Sequence, residues 1–156
     1  MSEEKIDPYA GLQDRLAKTA DEARPEAVAK RRARKGRTAR ENLADLTDGT
    51  AVSEYGQLAV AAQRTRRKGD ALFAETAADA VITAIGPVNS DLFASADSQT
   101  AMIINDYTVL AGTQGYFHHR KIDRMLGLAA EGGLPIVMYT EGGGGRPGDT
   151  DVLVSM

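Results

Sequence analysis

Short β-branched apolar runs separated by polar stretches mark the second half of the chain. Residues 81–85 and 100–105 are two such runs, and their length and composition are typical of buried strands. A third apolar run, residues 136–139, follows the Gly132-Gly133 pair and Pro135. Between the second and third runs, from about Gln114 to Ala130, apolar residues recur at the spacing of one helix face: Ile122, Met125, Leu126 and Ala129. The order strand, strand, helix, strand predicts an α/β domain layered around a sheet.

The first half of the chain is more polar and predicts helices of low apolar content. Residues 9–23 and 26–33 favour two helical pieces broken near Pro25. Thr38 and Glu41 have the spacing of a capping box and predict a short helix, which Asp48-Gly49-Thr50 closes. Residues 52–60 are weakly extended, residues 63–70 form a polar, basic loop, and residues 61–79 as a whole are predicted to lie on the surface.

Length and composition narrow the class of protein. The chain has 156 residues, 42% of them hydrophobic, which suits one domain with a real core. It has no cysteine, which excludes disulfides, a thiol nucleophile and thiolate metal sites. Neither a signal peptide nor a membrane-spanning apolar run is visible. A soluble, cytoplasmic protein is therefore predicted.

The net charge of −3 conceals a strongly basic segment. Residues 24–40 contain eight Lys or Arg and one Glu, which favours contact with a polyanion: RNA, an acidic partner, or the phosphates of a nucleotide-bearing ligand. A solvated charged helix is the alternative interpretation.

Four consecutive glycines follow the third apolar run, in the sequence Glu141-Gly142-Gly143-Gly144-Gly145-Arg146. Glycine lacks a Cβ, so a substrate can approach the main chain closely and neighbouring N–H groups can converge on one oxygen atom. Oxyanion holes and phosphate cradles are made in this way. The alternative is a flexible surface loop, since turn-forming residues continue to Asp149.

Other catalytic constellations are absent from the sequence. His118 and His119 are the only histidines, and adjacent residues on a helix do not face the same way, so a structural role is favoured over metal binding. Neither a Gly-x-Ser-x-Gly elbow nor a Walker A motif occurs. The remaining chemistry is that of backbone amides and of the ligand itself.

Three segments carry a resemblance to a known family. Residues 35–43 (KGRTARENL) resemble the "GKLTARERI" segment of the carboxyltransferase subunits of biotin-dependent acyl-CoA carboxylases. Residues 105–122 are similar to the family's "QDFTV…GGSLGEMHARKI", and residues 135–146 are similar to "PVIGLNDSGGAR". The three matches occur in the family's order.

The resemblance implies a crotonase-type spiral of strand–strand–helix units, here an incomplete first half preceded by a basic helical arm. It also implies transfer of the carboxyl group of carboxybiotin, which a separate carrier domain delivers, to the α-carbon of an acyl-CoA in fatty acid metabolism. The biotin ureido nitrogen is thought to take the α-proton, so the enzyme supplies stabilisation of an enolate oxygen. Gly143 and Gly144 align with the family's paired glycines and would be the oxyanion donors.

The same resemblance implies where coenzyme A binds. Lys35, Arg37 and Arg40 lie in the matching motif and suit its phosphates, with Gly112 and Gly145 as further substrate contacts. Arg40 is an equal candidate for a structural salt bridge. Arg146 is expected to orient the glycine loop, and Arg120 and Lys121 either have a structural role or border the CoA site.

The family pattern is not matched throughout. Glu141-Gly142 replaces Asp-Ser, Gly145 replaces Ala, and the continuation from Pro147 differs. The chain is also far shorter than a carboxyltransferase of two crotonase halves. We expect an arm (1–34) and a partial carboxyltransferase domain (35–156), an exposed apolar face, self-association, and no turnover by the isolated chain.

The expected partners are an acyl-CoA, the biotin carboxylase and biotin carrier components, the other half of the carboxyltransferase, and further copies of this chain. Nucleic acid, membranes and a metal ion are not expected. Two alternatives stay open: a non-catalytic binding or assembly module with the same fold, and a crotonase-type hydratase or decarboxylase for which Glu141 is the candidate acid.

Overall fold

A computed structural model describes residues 7–151. Two short helices form the arm, α1 (Pro8–Ala17) and α2 (Pro25–Ala33), and a third, α3 (Ala39–Leu46), leads into the domain. The domain consists of β1 (Ser53–Tyr55), α4 (Asp70–Glu75), β2 (Val81–Pro87), β3 (Gln99–Asn105), α5 (Tyr116–Gly132) and β4 (Ile136–Tyr139). The predicted order of strand, strand, helix and strand is confirmed in the second half.

The four strands form one sheet in chain order, β1-β2-β3-β4. The pairs β1–β2 and β2–β3 are antiparallel, whereas β4 runs parallel to β3, with Ala101 opposite Ile136 and Ile104 opposite Tyr139. A parallel pair requires a crossover connection, and α5 provides it. β4 therefore starts at the level of Ala101 and delivers the glycine loop beside the end of β3.

The core lies on both faces of this sheet. On one face, α3 packs through Ala39 and Leu43 on Ile82, Met102 and Ile104. On the other, α5 packs through Met125 and Ala129 against Val81, Ala101 and Ile103. Because successive side chains of a strand point to opposite faces, β3 is buried on both sides, which is why its sequence is a continuous apolar run.

The helix caps explain where α3 and α5 begin and end. Thr38 Oγ1 accepts the Glu41 N–H, and the Glu41 carboxylate accepts the Thr38 N–H, so the predicted capping box is confirmed. α5 ends at Gly133, which adopts the left-handed conformation with φ +62°. Its bounds lie two residues later than predicted. Leu126, assigned to its apolar face, is 41% exposed, so that assignment is wrong.

The prediction that residues 61–79 lie on the surface is confirmed for 64–66 and 68–71, which are exposed, and is wrong at both ends of the segment. Ala61, Ala62, Gln63 and Leu72 are buried, and so is the 3-10 turn Ala77–Ala80 that leads into β2. The segment lacks an apolar period because half of its buried residues are alanines and most of the others are polar. Two of these polar groups are satisfied by distant residues. Gln63 Nε2, for example, donates to Asp149 Oδ1 at 3.0 Å.

The predicted break of the arm near Pro25 is confirmed, since α2 begins at that residue. α1 has no buried residue and α2 has only Val28, in agreement with their low apolar content. Polar contacts of Arg24 and Arg31 attach the arm to the domain instead. Whether residues 1–34 form a separate unit stays a prediction.

β4 lies at the edge of the sheet, and its apolar side chains Ile136 and Met138 are 41% and 47% exposed. They belong to the apolar surface that was expected to remain uncovered. Self-association through it stays a prediction.

Candidate active site

The glycine loop, residues 140–146, leaves β4 and runs beside the turn Leu110–Gly112 that follows β3. Three backbone hydrogen bonds fix it there. The Gly143 N–H donates to Ala111 O at 3.2 Å, the Gln114 N–H to Gly144 O at 2.9 Å, and the Arg146 N–H to Gln114 O at 2.8 Å. The loop lies on the surface, but these bonds attach it to the segment that follows β3, which argues against the alternative of a flexible loop.

Two consecutive exposed amides of this loop have no hydrogen-bond partner among the described residues. Among residues 7–151, no acceptor lies within hydrogen-bond range of the Gly144 or Gly145 N–H, and both glycines are exposed. Gly144 has φ +84°, a conformation that glycine adopts without strain. The sequence assigned the donor pair to Gly143 and Gly144, but the Gly143 N–H is already bonded to Ala111. The Gly142 N–H likewise has no hydrogen-bond partner among the described residues, so Gly144 and Gly145 are one adjacent pair of unbonded amides, and the assignment of the oxyanion donors stays a prediction.

The loop depends on close contact between two glycine backbones. Gly112 is buried with φ +63°, and a Cβ there would collide with the carbonyl oxygen of Glu141. In the other direction, a Cβ on Gly142 would collide with the carbonyl oxygen of Gly112. Gly112 therefore packs directly against the backbone of the loop. A contact between Gly112 and substrate stays a prediction.

Arg146 ends the loop and is its strongest anchor. Its side chain is only 7% exposed. It donates to Asp149 Oδ1 at 2.7 Å, to Thr113 O at 3.0 Å and to the carboxylate of Asp79. The Nε, Nη1 and Nη2 groups of Arg146 each donate to a protein acceptor. This arrangement agrees with the expectation that Arg146 orients the loop.

Asp79 and His118 lie behind Arg146 in the protein interior. The Asp79 carboxylate accepts the His118 N–H at 2.7 Å, and the His118 Nδ1 contacts the Asp79 carbonyl oxygen at 3.0 Å. Burial raises the pKa of the Asp79 carboxyl, and the neighbouring Arg146 opposes that rise. His118 is fully buried and has the structural role that the sequence favours.

Burial also lowers the pKa of His118 from 6.5 to about 4, so we expect a pH-dependent stability. Between these values the unfolded chain binds a proton that the folded chain does not, so the free energy of unfolding falls as the pH drops. The loss is on the order of 3 kcal/mol by pH 4. Urea unfolding from pH 7 to pH 4.5 should show a shallower decrease for His118→Asn than for the wild type. Equal decreases would contradict the assignment to His118, because Asp79, Arg146 and Lys121 face the ring in both proteins.

The arm reaches the loop through Arg31. Its guanidinium donates to both carboxylate oxygens of Glu141, at 2.7 and 2.5 Å, and its Nε donates to Arg37 O at 2.8 Å. It also lies over the Tyr107 ring, 5.3 Å from its centre. The guanidinium leaves no room for a Cβ on Gly36. Glu141, the candidate acid of a hydratase, is therefore held in a bidentate ion pair.

The three cations assigned to coenzyme A have different surroundings. Arg40 forms a salt bridge with Glu54, with N···O distances of 2.5 and 3.0 Å, which is the structural role left open for it. Arg37 pairs with Asp45 at 3.0 Å. Lys35 is exposed and has no ion-pair partner among the described residues. These different surroundings could not be predicted from the sequence, because the acidic partners of Arg37 and Arg40 lie 8 and 14 residues away along the chain.

A cleft of about 650 Å³ opens between the arm and the segment that follows β3. Arg24, Lys30, Arg31 and Arg34 line its arm side, and Tyr107, Thr108 and Val109 line the opposite side. Arg24 pairs with Asp106 and Arg31 with Glu141, whereas Lys30 and Arg34 form no ion pair with any residue of the described part. Glu26 and Glu75 also border the cleft, and Glu75 pairs with Arg67. Lys30 and Arg34 belong to the basic segment 24–40 that the sequence predicts to contact a polyanion, but they lie outside the motif assigned to coenzyme A.

Lys121 is buried, and its ammonium group donates to Ala78 O at 2.8 Å and to Val81 O. Burial lowers its pKa to about 8. Its bonds hold the 3-10 turn Ala77–Ala80 against α5, which is the structural role considered for it. Arg120 is exposed and lies over the Tyr116 ring at 5.9 Å.

Within residues 7–151, no cluster of three or more acidic or histidine side chains has the geometry to hold a metal ion. No helix in the same range has the length and hydrophobicity needed to cross a membrane.

Comparison with solved structures supports the resemblance. The chain is 47% identical to a single-chain, multi-domain long-chain acyl-CoA carboxylase over 98% of its own length, with a TM-score of 0.87. The fold alone is shared with a hexameric transcarboxylase 12S that binds methylmalonyl-coenzyme A (21% identity, TM-score 0.70, 96% of this chain). It is also shared with the beta subunit of geranyl-CoA carboxylase from P. aeruginosa (24% identity, TM-score 0.63, 93% of this chain).

The chain spans 15%, 27% and 24% of these three proteins, respectively. The similarity of the folds, with TM-scores of 0.87 and 0.70, shows that the chain has the crotonase-like fold that the resemblance implies. Within that class, the chain matches the carboxyltransferase domains of acyl-CoA carboxylases, and the resemblance seen in its sequence is confirmed. No protein-family model matches the chain, and no curated protein sequence does.

Proposed function

We propose that this chain is the acyl-CoA-binding part of a biotin-dependent carboxyltransferase. The observation that carries the proposal is the pair of exposed, unbonded amides at Gly144 and Gly145 in a loop held by Arg146 and by three backbone bonds. Donors fixed in this way do not need to reorganise when negative charge develops on an oxygen atom. An acyl-CoA thioester placed against them would have its enolate oxygen stabilised.

The chain's own contribution to the reaction is this stabilisation. The carboxyl group comes from carboxybiotin on a carrier domain, and the biotin ureido nitrogen is the expected acceptor of the α-proton. The protein therefore needs no side-chain base beside the thioester. The surroundings of the loop fit that need, because Glu141 is bound by Arg31 and Arg146 is bound by Asp79 and Asp149. The same contacts argue against the hydratase or decarboxylase alternative, which requires a free acid.

The nucleotide end of coenzyme A fits the cleft between the arm and Tyr107. A volume of about 650 Å³ is within the usual range for cofactor sites. Lys30 and Arg34 are the cations there without an acidic partner in the described part, and phosphate is the natural ligand of such groups. Arg31 forms part of the cleft wall and also binds Glu141. One extended ligand would thus span the cleft and the glycine loop.

Calorimetric titration of the chain with propionyl-CoA tests the proposal, with pantetheine as the ligand that lacks the nucleotide phosphates. We expect selective binding of the CoA ester. Replacing Lys30 and Arg34 together by alanine should weaken that binding about 10- to 100-fold, because two charge-assisted bonds to phosphate are lost. The double variant Arg64→Ala/Lys68→Ala, which removes two exposed cations outside the cleft, should bind like the wild type.

The two possible failures differ in meaning. Binding of propionyl-CoA that is indifferent to Lys30 and Arg34 would place the phosphates elsewhere, for example at Lys35, and leave the function standing. No binding of either ligand would contradict an acyl-CoA half-site in this chain.

The second candidate is a non-catalytic binding or assembly module that uses the arm for a protein or RNA partner. The exposed Lys30 and Arg34 support it, but Arg24, Arg31 and Arg32, three of the other cations of the arm, are already held in ion pairs. RNA retention that is sensitive to salt, together with no affinity for CoA, would favour this candidate.

The whole protein would work with biotin carboxylase and biotin carrier components, with a second crotonase half, and as an oligomer in the cytoplasm. The neighbours support that setting, since one is a single-chain, multi-domain carboxylase and another assembles as a hexamer. We propose that the chain by itself binds substrate without turnover.

A further inference from the structure

Asp79 is the least accessible carboxylate near the glycine loop, with no exposed surface. It occupies the middle of three successive residues with left-handed backbone, Ala78, Asp79 and Ala80, whose φ values are +50°, +49° and +63°. Such conformations are unfavourable for residues with a Cβ, and they persist only where the surroundings fix them. The turn aims the Asp79 carboxylate at Arg146 and at the N-terminal turn of α5.

The carboxylate joins three parts of the site. One oxygen accepts the His118 N–H in the first turn of α5, and the other accepts from the Arg146 guanidinium. Arg146 in turn binds Thr113 O, in the turn beneath the loop, and Asp149. Asp149 accepts the Tyr116 N–H at 2.8 Å, again at the start of α5. Asp79 is thus the buried end of a network whose other end is the loop.

We infer that Asp79 is a positioning residue for the oxyanion donors: through Arg146 it sets where the Gly144 and Gly145 amides lie. This inference rests on the proposed function and adds to it a residue from a segment that the sequence assigned to the surface. Between Glu141 and Arg146 the loop consists of glycines and has no side chains that could hold it in place. Its position is therefore fixed by the two ends and by the backbone, and Arg146 holds one end.

The variant that tests this is Asp79→Asn. An amide oxygen still accepts the His118 N–H, but the negative charge that holds Arg146 is gone. In the complete carboxyltransferase we expect kcat to fall about 10- to 100-fold, because the donors are misplaced in the transition state. KM for acyl-CoA should stay within about 3-fold, since binding of the nucleotide end does not involve the loop.

Hydrogen exchange of the 156-residue chain gives a second readout that does not depend on activity. The Gly143 and Arg146 amides, which are bonded to Ala111 and Gln114, should exchange about 10-fold faster in Asp79→Asn, while the amides of β3 keep their wild-type rates. Asp45→Asn is the matched control, because it also removes the charge of an Arg partner, but on the surface. It should change neither exchange nor kcat.

A purely structural role predicts something different. Replacing both charges, in Asp79→Asn/Arg146→Met, removes the unpaired buried group and should recover much of the lost stability. It should not recover kcat if Asp79 acts by positioning the loop. Recovery of kcat along with stability, unchanged kcat in Asp79→Asn, or equal acceleration of exchange throughout the chain would each overturn the inference. If the wild type transfers no carboxyl group, the proposed function fails, and the exchange of Gly143 and Arg146 still decides whether Asp79 holds the loop.

Discussion

Gly112→Ala should slow carboxyl transfer in the complete enzyme by on the order of 100-fold or more while leaving a folded protein. Two effects combine at this position. The backbone has φ +63°, which disfavours any residue with a Cβ, and the new methyl group would collide with the Glu141 carbonyl oxygen. Together they should cost about 2–4 kcal/mol of stability. Relief of the collision requires the glycine loop to move away, and misplacing one oxyanion donor typically costs on the order of 100-fold or more in rate.

Gly127→Ala is the matched control for this substitution. Gly127 lies inside α5, and a Cβ there meets no atom within 4 Å. Because alanine is a better helix former than glycine, we expect stability to rise by about 0.5–1 kcal/mol and the rate to stay unchanged. Urea unfolding and single-turnover rates measure both quantities. A Gly112→Ala enzyme as active as Gly127→Ala would show that the loop does not depend on its contact with Gly112.

The second large effect is expected from Asp106→Ala, at the point where the arm meets the domain. Arg24 and Asp106 have side chains that are each 7% exposed, with an N···O distance of 3.0 Å. Arg24 also donates to Thr108 Oγ1 at 2.9 Å, and its remaining partner, Asp21, lies at 3.4 Å. Removal of Asp106 leaves a buried guanidinium without close compensation. Breaking a buried pair in this way costs about 3–5 kcal/mol.

The damage should appear first in the arm. Limited proteolysis of Asp106→Ala is expected to cut near Arg24, and calorimetry should show weaker binding of propionyl-CoA, because the arm side of the cleft is displaced. Asp45→Ala removes a carboxylate from the exposed pair with Arg37 and should leave both properties almost unchanged. Equal protection of the arm in the two variants would mean that Val28 and the other arm contacts suffice to hold it.

The strands and helices were predictable where one kind of signal dominates. β2 and β3 are continuous β-branched runs because both faces of the sheet are covered, and α3 has a capping box visible within four residues. The 61–79 segment was not predictable in the same way. Its burial depends on Asp149 for Gln63 and on Arg146 for Asp79, so the reason for it lies 67 or more residues away.

In the candidate site, too, the features with a local sequence signal were predictable and those that depend on distant contacts were not. The glycine loop and the role of Arg146 follow from the sequence, because local composition and an alignment suffice to place them. The donor pair does not, since the choice between Gly143 and Gly145 depends on which amide meets Ala111 O. The cations that we propose to bind phosphate could not be chosen from the sequence, for a related reason. Arg37 and Arg40 have acidic partners and Lys30 and Arg34 have none in the described part, and only the folded arrangement distinguishes these residues.

Arg24 and Arg31, which attach the arm to the domain, limit the order in which the parts of the chain can fold. Arg24 and Arg31 bind residues 82 and 110 positions further along the chain. During synthesis at about 5–20 residues per second, the arm emerges before its partners and stays without them for several seconds. The hairpin of β2 and β3 closes a much shorter loop and can form earlier. We therefore expect the arm to dock fully only after the chain has been made as far as Glu141, because Arg31 pairs with that residue at the start of the glycine loop.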